Sequence, residues 1–140
     1  MEKAILRVLV IDDEEDIYLL FEQQFRSEIK KKSLEFHYAR SAEEALIFLH
    51  QPIDPQLVLI LSDISMPGMN GLELLKLLKN AYPEITVFMI TAYGDHENSK
   101  TALELGASEI ISKPIDFSYL KELILDFMLN QLKKMDESDG

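Results

Sequence analysis

The chain has 140 residues, 47% of them hydrophobic and 28% charged, with no cysteine and a formal net charge of −11. This size and balance fit one soluble globular domain and exclude disulfides, thiolate metal sites and thiol nucleophiles. The negative charge disfavours direct contact with nucleic-acid phosphates and suits a metal ion or a basic partner surface.

Along the chain, two periods alternate. Ile5 to Ile11 reads as a strand buried on both faces and ends in Asp12-Asp13-Glu14-Glu15-Asp16. Ile17, Leu20, Phe21, Phe25 and Ile29 then recur at helical spacing up to Lys30-Lys31-Lys32, with acids first and lysines last as the helix dipole favours. Leu34, Phe36 and Tyr38 alternate with Glu35 and His37, the pattern of a half-exposed strand. Ser41-Ala42-Glu43-Glu44 is a capping box that opens a helix through Leu49, and Pro52 and Pro55 bracket the loop beyond it. Leu57 to Leu61 is a second apolar strand; it runs out at Asp63, before the turn residues Pro67, Gly68, Asn70 and Gly71. Leu74, Leu75 and Leu78 mark the next helix, which stops before Pro83.

Ile85 to Ile90 is a strand ending in Thr91-Ala92-Tyr93-Gly94. Asp95 to Leu105 is a weakly amphipathic helix closed by Gly106, and should be the least firmly held. Glu109 to Ser112 is a short strand before Lys113-Pro114, and Asp116 caps a last helix with a strong stripe of Leu120, Leu123, Ile124, Phe127 and Met128. Residues 1–130 are expected to form the domain, and 131–140 an acidic, disordered tail. The apolar runs are strand-sized and the first residues lack a signal-peptide layout, so a cytoplasmic placement without membrane insertion is expected. His37, His50 and His96 lack metal-ligand spacing and are read as solvated.

Five strand–helix units of this length imply a doubly wound parallel α/β sheet with five helices. Its carboxyl edge, where open α/β sheets bind ligands, gathers Asp12, Asp13, Asp63, Thr91 and Lys113. Two carboxylates about 4 Å apart repel by roughly 4 kcal/mol at an effective dielectric of 20, so three converge only with a proton or a cation. Oxygen ligands without histidine select a hard divalent ion, Mg²⁺ or Mn²⁺. That ion and Lys113 would form a positive socket for a phosphoryl group, with Thr91 donating to an oxygen and Asp63 free as nucleophile.

Asp12-Asp13, the stretch Asp63-Ile64-Ser65-Met66-Pro67-Gly68-Met69-Asn70-Gly71, Thr91-Ala92 and Ser112-Lys113-Pro114 together resemble the response-regulator receiver domain of two-component signalling. The resemblance spans about Ile5 to Met128. It implies a flavodoxin-like fold with strand order 2-1-3-4-5, and a phosphoryl group passed to Asp63 from a sensor histidine kinase or a histidine phosphotransfer protein. It implies direct Mg²⁺ ligation by Asp13 and Asp63, ligation through water by Asp12, and a third ligand in the Ser65 carbonyl. Thr91 would be the switch hydroxyl, Lys113 the phosphate-binding cation, and Lys113-Pro114 a cis bond. Ile110 departs from the family pattern, which often has Tyr or Phe there.

Two other classes compete. A phosphohydrolase of the haloacid-dehalogenase kind needs an acid two residues after its nucleophile, where this chain has Ser65. A flavin-binding carrier of the same fold needs a phosphate-cradling loop after the first strand, where Asp12-Asp13-Glu14-Glu15 would repel phosphate. No output domain follows the last helix, so the domain acts alone or belongs to a longer protein. The output partner is not legible, and a phosphorylation-dependent homodimer is one possibility.

Overall fold

The computed structural model describes residues 5–52 and 58–139, and side chains up to residue 134. Leu57 and Pro55, named above, lie outside the described residues. The elements run β1 (Leu6–Ile11), α1 (Asp16–Gln24), α2 (Arg26–Lys30), β2 (Leu34–Ala39), α3 (Ala42–Leu49), β3 (Val58–Asp63), α4 (Gly71–Ala81), β4 (Thr86–Thr91), α5 (His96–Glu104), β5 (Glu109–Ser112) and α6 (Phe117–Asp139). The strands form one parallel sheet in the order β2-β1-β3-β4-β5. This is the flavodoxin-like arrangement expected.

The apolar side chains alternate across the sheet and feed two cores. Leu9, Ile11, Ile60, Val87 and Met89 pack against Ala42, Ala45, Leu74, Leu75, Leu78 and Ala102 of α3, α4 and α5. Val8, Val10, Leu59, Leu61 and Ile90 pack against Phe21, Phe25, Leu120 and Ile124 on the opposite face. β3 lies at the centre of the sheet and is buried along its whole length, which makes it the stiffest place from which to hold a functional group. α5 is the opposite case, with Ala102 as its buried residue.

The helix count differs from the expectation: six rather than five. The helix after β1 breaks at Phe25, whose backbone (φ −110°, ψ 21°) leaves the helical region while its ring is fully buried. Helical hydrogen bonds still enter and leave Phe25, to Phe21 and from Ile29, so α2 follows α1 directly across a kink. Residues 131–139 also differ, since α6 continues to Asp139 where a disordered tail was expected. Gln131 is still buried, and no Gly or Pro interrupts the chain between Phe117 and Asp139. His37 is half-buried rather than solvated, paired with Glu35 and packed on Phe48. No helix among the described residues is long and apolar enough to cross a membrane.

Candidate functional site

Strand register brings the polar ends together. Ile11 of β1 pairs with Ser62 of β3, so Asp12 and Asp63 leave neighbouring strands at the same level. Asp63 pairs with Ile90 and Thr91 pairs with Ser112, which places Thr91 and Lys113 at successive steps along the same edge. The Lys113 amide donates to the Thr91 carbonyl at 2.9 Å and extends that pairing beyond β5.

Carboxylate oxygens of Asp12, Asp13 and Asp63 all lie within 4.8 Å of one another. Asp12 is 1% exposed and Asp63 5%, whereas Asp13 faces solvent. Burial pushes the Asp12 carboxyl up; the Glu14 amide, donating to its Oδ1 at 2.9 Å, draws it down, and the Asp63 charge raises it again. The net displacement is upward, because burial and the neighbouring acids outweigh the Glu14 amide and the Lys113 charge. Asp63 is better served: Lys113 Nζ donates to Oδ2 at 2.7 Å and the Ser65 amide to Oδ1 at 3.1 Å. Burial pulls the Lys113 ammonium down, but the Asp63 bond and the neighbouring acids outweigh it, so the group is held above its ordinary value.

Thr91 is 2% exposed, and its Oγ1 has no hydrogen-bond partner among the described residues. A buried donor without an acceptor is costly, which marks a place where a further oxygen fits. Ser65 begins the exposed loop after β3, so its backbone borders the acids. That loop returns through Gly68, at φ 77°, to α4, which Asn70 caps by accepting the Glu73 amide. A Cβ on Gly71 would lie 2.3 Å from the Asp63 carbonyl oxygen, so only glycine lets α4 start this close to the end of β3. Lys113-Pro114 is cis. Ile110 packs partly buried against the core shared by α3, α4 and α5.

All the residues singled out from sequence therefore meet at one edge. One neighbour was not singled out: the Tyr18 hydroxyl donates to the Asp12 carbonyl. In the sequence, Tyr18 is only an aromatic residue in the first turn of a helix. Chemically, the cluster offers oxygen ligands to a hard divalent ion, one carboxylate already set against an ammonium, and an unpaired hydroxyl beside it.

Comparisons with known proteins identify the family. A family model described as the response regulator receiver domain matches residues 8–125. The response regulator protein PilR of Pseudomonas aeruginosa is 34% identical over 119 residues, covering 84% of this chain and 25% of the relative. The chain thus spans about a quarter of that protein's length. Sporulation initiation phosphotransferase F of Bacillus subtilis is 30% identical over 122 residues, covering 87% of this chain and 93% of the relative. Among solved structures, a CheY-like receiver domain protein from Methanospirillum hungatei superimposes with a TM-score of 0.78 at 31% identity, covering 93% of this chain and 98% of that one.

Proposed function

Because the chain belongs to the response regulator receiver domain family of two-component signalling, we propose that Asp63 is its phosphoryl acceptor and that Asp12, Asp13, Lys113 and Thr91 serve that transfer. Family membership supports this reading over the flavin and phosphohydrolase ones. The observation that carries the proposal is the bond between Lys113 Nζ and the buried Asp63 Oδ2 at 2.7 Å, at the edge where three acids converge.

Asp13 and Asp63 would hold Mg²⁺ directly, with Asp12 through water and the Ser65 carbonyl as a further ligand; Mn²⁺ could take the same oxygens. The crowding of the acids and the upward displacement of Asp12 fit a site built for a cation. When bound, the ion supplies charge neutralisation for the phosphoryl oxygens. Lys113 keeps two further N–H donors for those oxygens while it orients Asp63. A carboxylate oxygen of Asp63 attacks the phosphorus of a phosphohistidine on a sensor kinase or a phosphotransfer protein. An O–P bond forms, the N–P bond breaks, and the leaving imidazole nitrogen keeps the electron pair and takes a proton.

Thr91 would then donate its unpaired hydroxyl to a phosphoryl oxygen and draw residues 91–105 with it. Gly94, at φ 81°, permits the movement, and lightly anchored α5 resists little. The face remodelled is that of α5, β5 and α6, where Tyr93 is 86% exposed and Tyr119 lies beside Lys113 and Pro114. This face would meet an output partner or a second phosphorylated copy. The domain would act as a switch whose chemistry is limited to its own phosphorylation and dephosphorylation.

Intact-mass measurement after incubation with acetyl phosphate tests the reading. Wild type should gain one phosphoryl group only when Mg²⁺ is present, and Asp63→Asn should gain none. Equal gain by Asp63→Asn would overturn it.

A further inference from the structure

Tyr18 sits in the first turn of α1 and reaches back over the loop that carries Asp12 and Asp13. Its hydroxyl donates to the Asp12 carbonyl, and the carbonyl oxygen of Ala39, the last residue of β2, lies 3.0 Å from the same hydroxyl. One proton is shared between the chain leaving β1 and the end of β2. Asp12 is held at two more points: its amide donates to the Ala39 carbonyl at 3.0 Å, and its Oδ1 accepts the Glu14 amide at 2.9 Å. Tyr18 is fixed in turn. Its ring lies on Tyr38 with centroids 4.4 Å apart, and the Tyr38 hydroxyl donates to Glu22 Oε1 at 2.7 Å.

The segment held this way carries charge that repels its surroundings. Asp12 and Asp13 bring their carboxylates within 4.8 Å of Asp63, and Lys113 is bonded to Asp63 rather than to either of them. At such separations each like-charged pair opposes the arrangement by about 3 kcal/mol at an effective dielectric of 20. Without a tether, the acidic stretch from Asp12 to Glu15, exposed apart from Asp12, would move outward and spread its charge.

We infer that Tyr18 is a positioning residue for the cation site. Its hydroxyl fixes the backbone of Asp12, and with it the spacing of Asp12 and Asp13 against Asp63, before any cation arrives. The inference rests on the reading of these acids as a Mg²⁺ site. Tyr18 need touch neither ion nor phosphoryl group, because it acts through the Asp12 carbonyl. A loosened acid pair must be ordered on binding, so losing the hydroxyl should weaken the cation rather than unfold the protein.

Tyr18→Phe keeps the ring and its tilted contact with Tyr38 and removes only the O–H. Calorimetric titration of the unphosphorylated protein with MgCl₂ should show an approximately tenfold higher Kd for the variant. The rate of phosphorylation by acetyl phosphate at saturating Mg²⁺ should stay near wild type, so that only the Mg²⁺ concentration required is raised. Tyr82→Phe, which removes a hydroxyl bonded to the Leu49 carbonyl on the opposite face of the sheet, should bind Mg²⁺ like wild type. Equal Kd values for wild type and Tyr18→Phe would overturn the inference. So would a fall in melting temperature that is the same with and without Mg²⁺, because the hydroxyl would then be structural only. A wild-type protein that does not bind Mg²⁺ would overturn the underlying site reading as well.

Discussion

Lys113 Nζ and Asp63 Oδ2 stand 2.7 Å apart although 50 residues separate them in sequence. The pair joins the central strand to the loop after the edge strand β5, so Asp63 is tied to a second point along the sheet edge. Lys113→Met keeps most of the stem and removes the ammonium. The metal-free protein should lose between about 1 and 3 kcal/mol, because Asp63 stays buried without its cation, with the Ser65 amide still donating to it, while the lysine was part-exposed. Mg²⁺ should bind several-fold more tightly to the uncompensated acids, yet phosphoryl transfer should slow and no longer drive the switch. Weaker Mg²⁺ binding by this variant would contradict the arrangement.

The acids make the opposite prediction. Asp12 has its carboxyl held above the ordinary 3.8, first by burial and then by Asp63, so the folded state prefers it protonated. Its contribution to stability is therefore fully present below 3.8 and is lost as pH rises through the higher folded value. At neutral pH the ionised acid opposes folding. Asp12→Asn and Asp13→Asn should each leave the metal-free protein as stable or more stable, and Asp12→Asn should flatten the dependence of its stability on pH above 3.8. Both should weaken Mg²⁺ binding, Asp13→Asn more strongly, by about 10- to 100-fold. Denaturant melts across pH, paired with Mg²⁺ titrations, check both halves.

Thr91 bears a buried hydroxyl without a partner among the described residues. Thr91→Val removes that burden at nearly constant volume, so the unphosphorylated protein should gain about 1 kcal/mol. The same variant should lose the response to beryllofluoride, a phosphoryl mimic. In wild type, NMR should show shifts from Thr91 through Leu105 with the Ile110 χ1 unchanged, since Ile110 is stiff and packed against the core. A rotamer change at Ile110 with a rigid 91–105 backbone would contradict this.

Gly71→Ala should be severely destabilising. The added Cβ would meet the Asp63 carbonyl oxygen at 2.3 Å and the Ile64 Cα at 2.8 Å, and neither backbone atom can yield. A loss of about 3 kcal/mol or more is expected in denaturant melts, with slower phosphorylation as the end of β3 shifts.

Much of this was legible from the chain because buried parallel strands announce themselves as apolar runs, and their ends fall on a common edge. Asp12, Asp13, Asp63, Thr91 and Lys113 could be grouped without knowing any distance. Other features depend on tertiary contacts that periodicity does not carry. The break at Phe25 arises where a fully buried ring meets the sheet, within an uninterrupted helical pattern. The extension of α6 begins at Gln131, a polar residue that turns out to be buried. The sequence could name Thr91 as a hydroxyl but not show it unpaired, and Tyr18 gave no sign that it turns back to Asp12.

The central claim is that Asp63 itself receives the phosphoryl group. Borohydride reduces an aspartyl phosphate to homoserine, which marks the acceptor permanently. Wild-type protein should be phosphorylated with acetyl phosphate and Mg²⁺, reduced, digested and sequenced by mass spectrometry. Homoserine should be found at position 63 and nowhere else, and be absent when Mg²⁺ is chelated. Homoserine at position 12 or 13, or at position 63 in equal yield without Mg²⁺, would contradict the account.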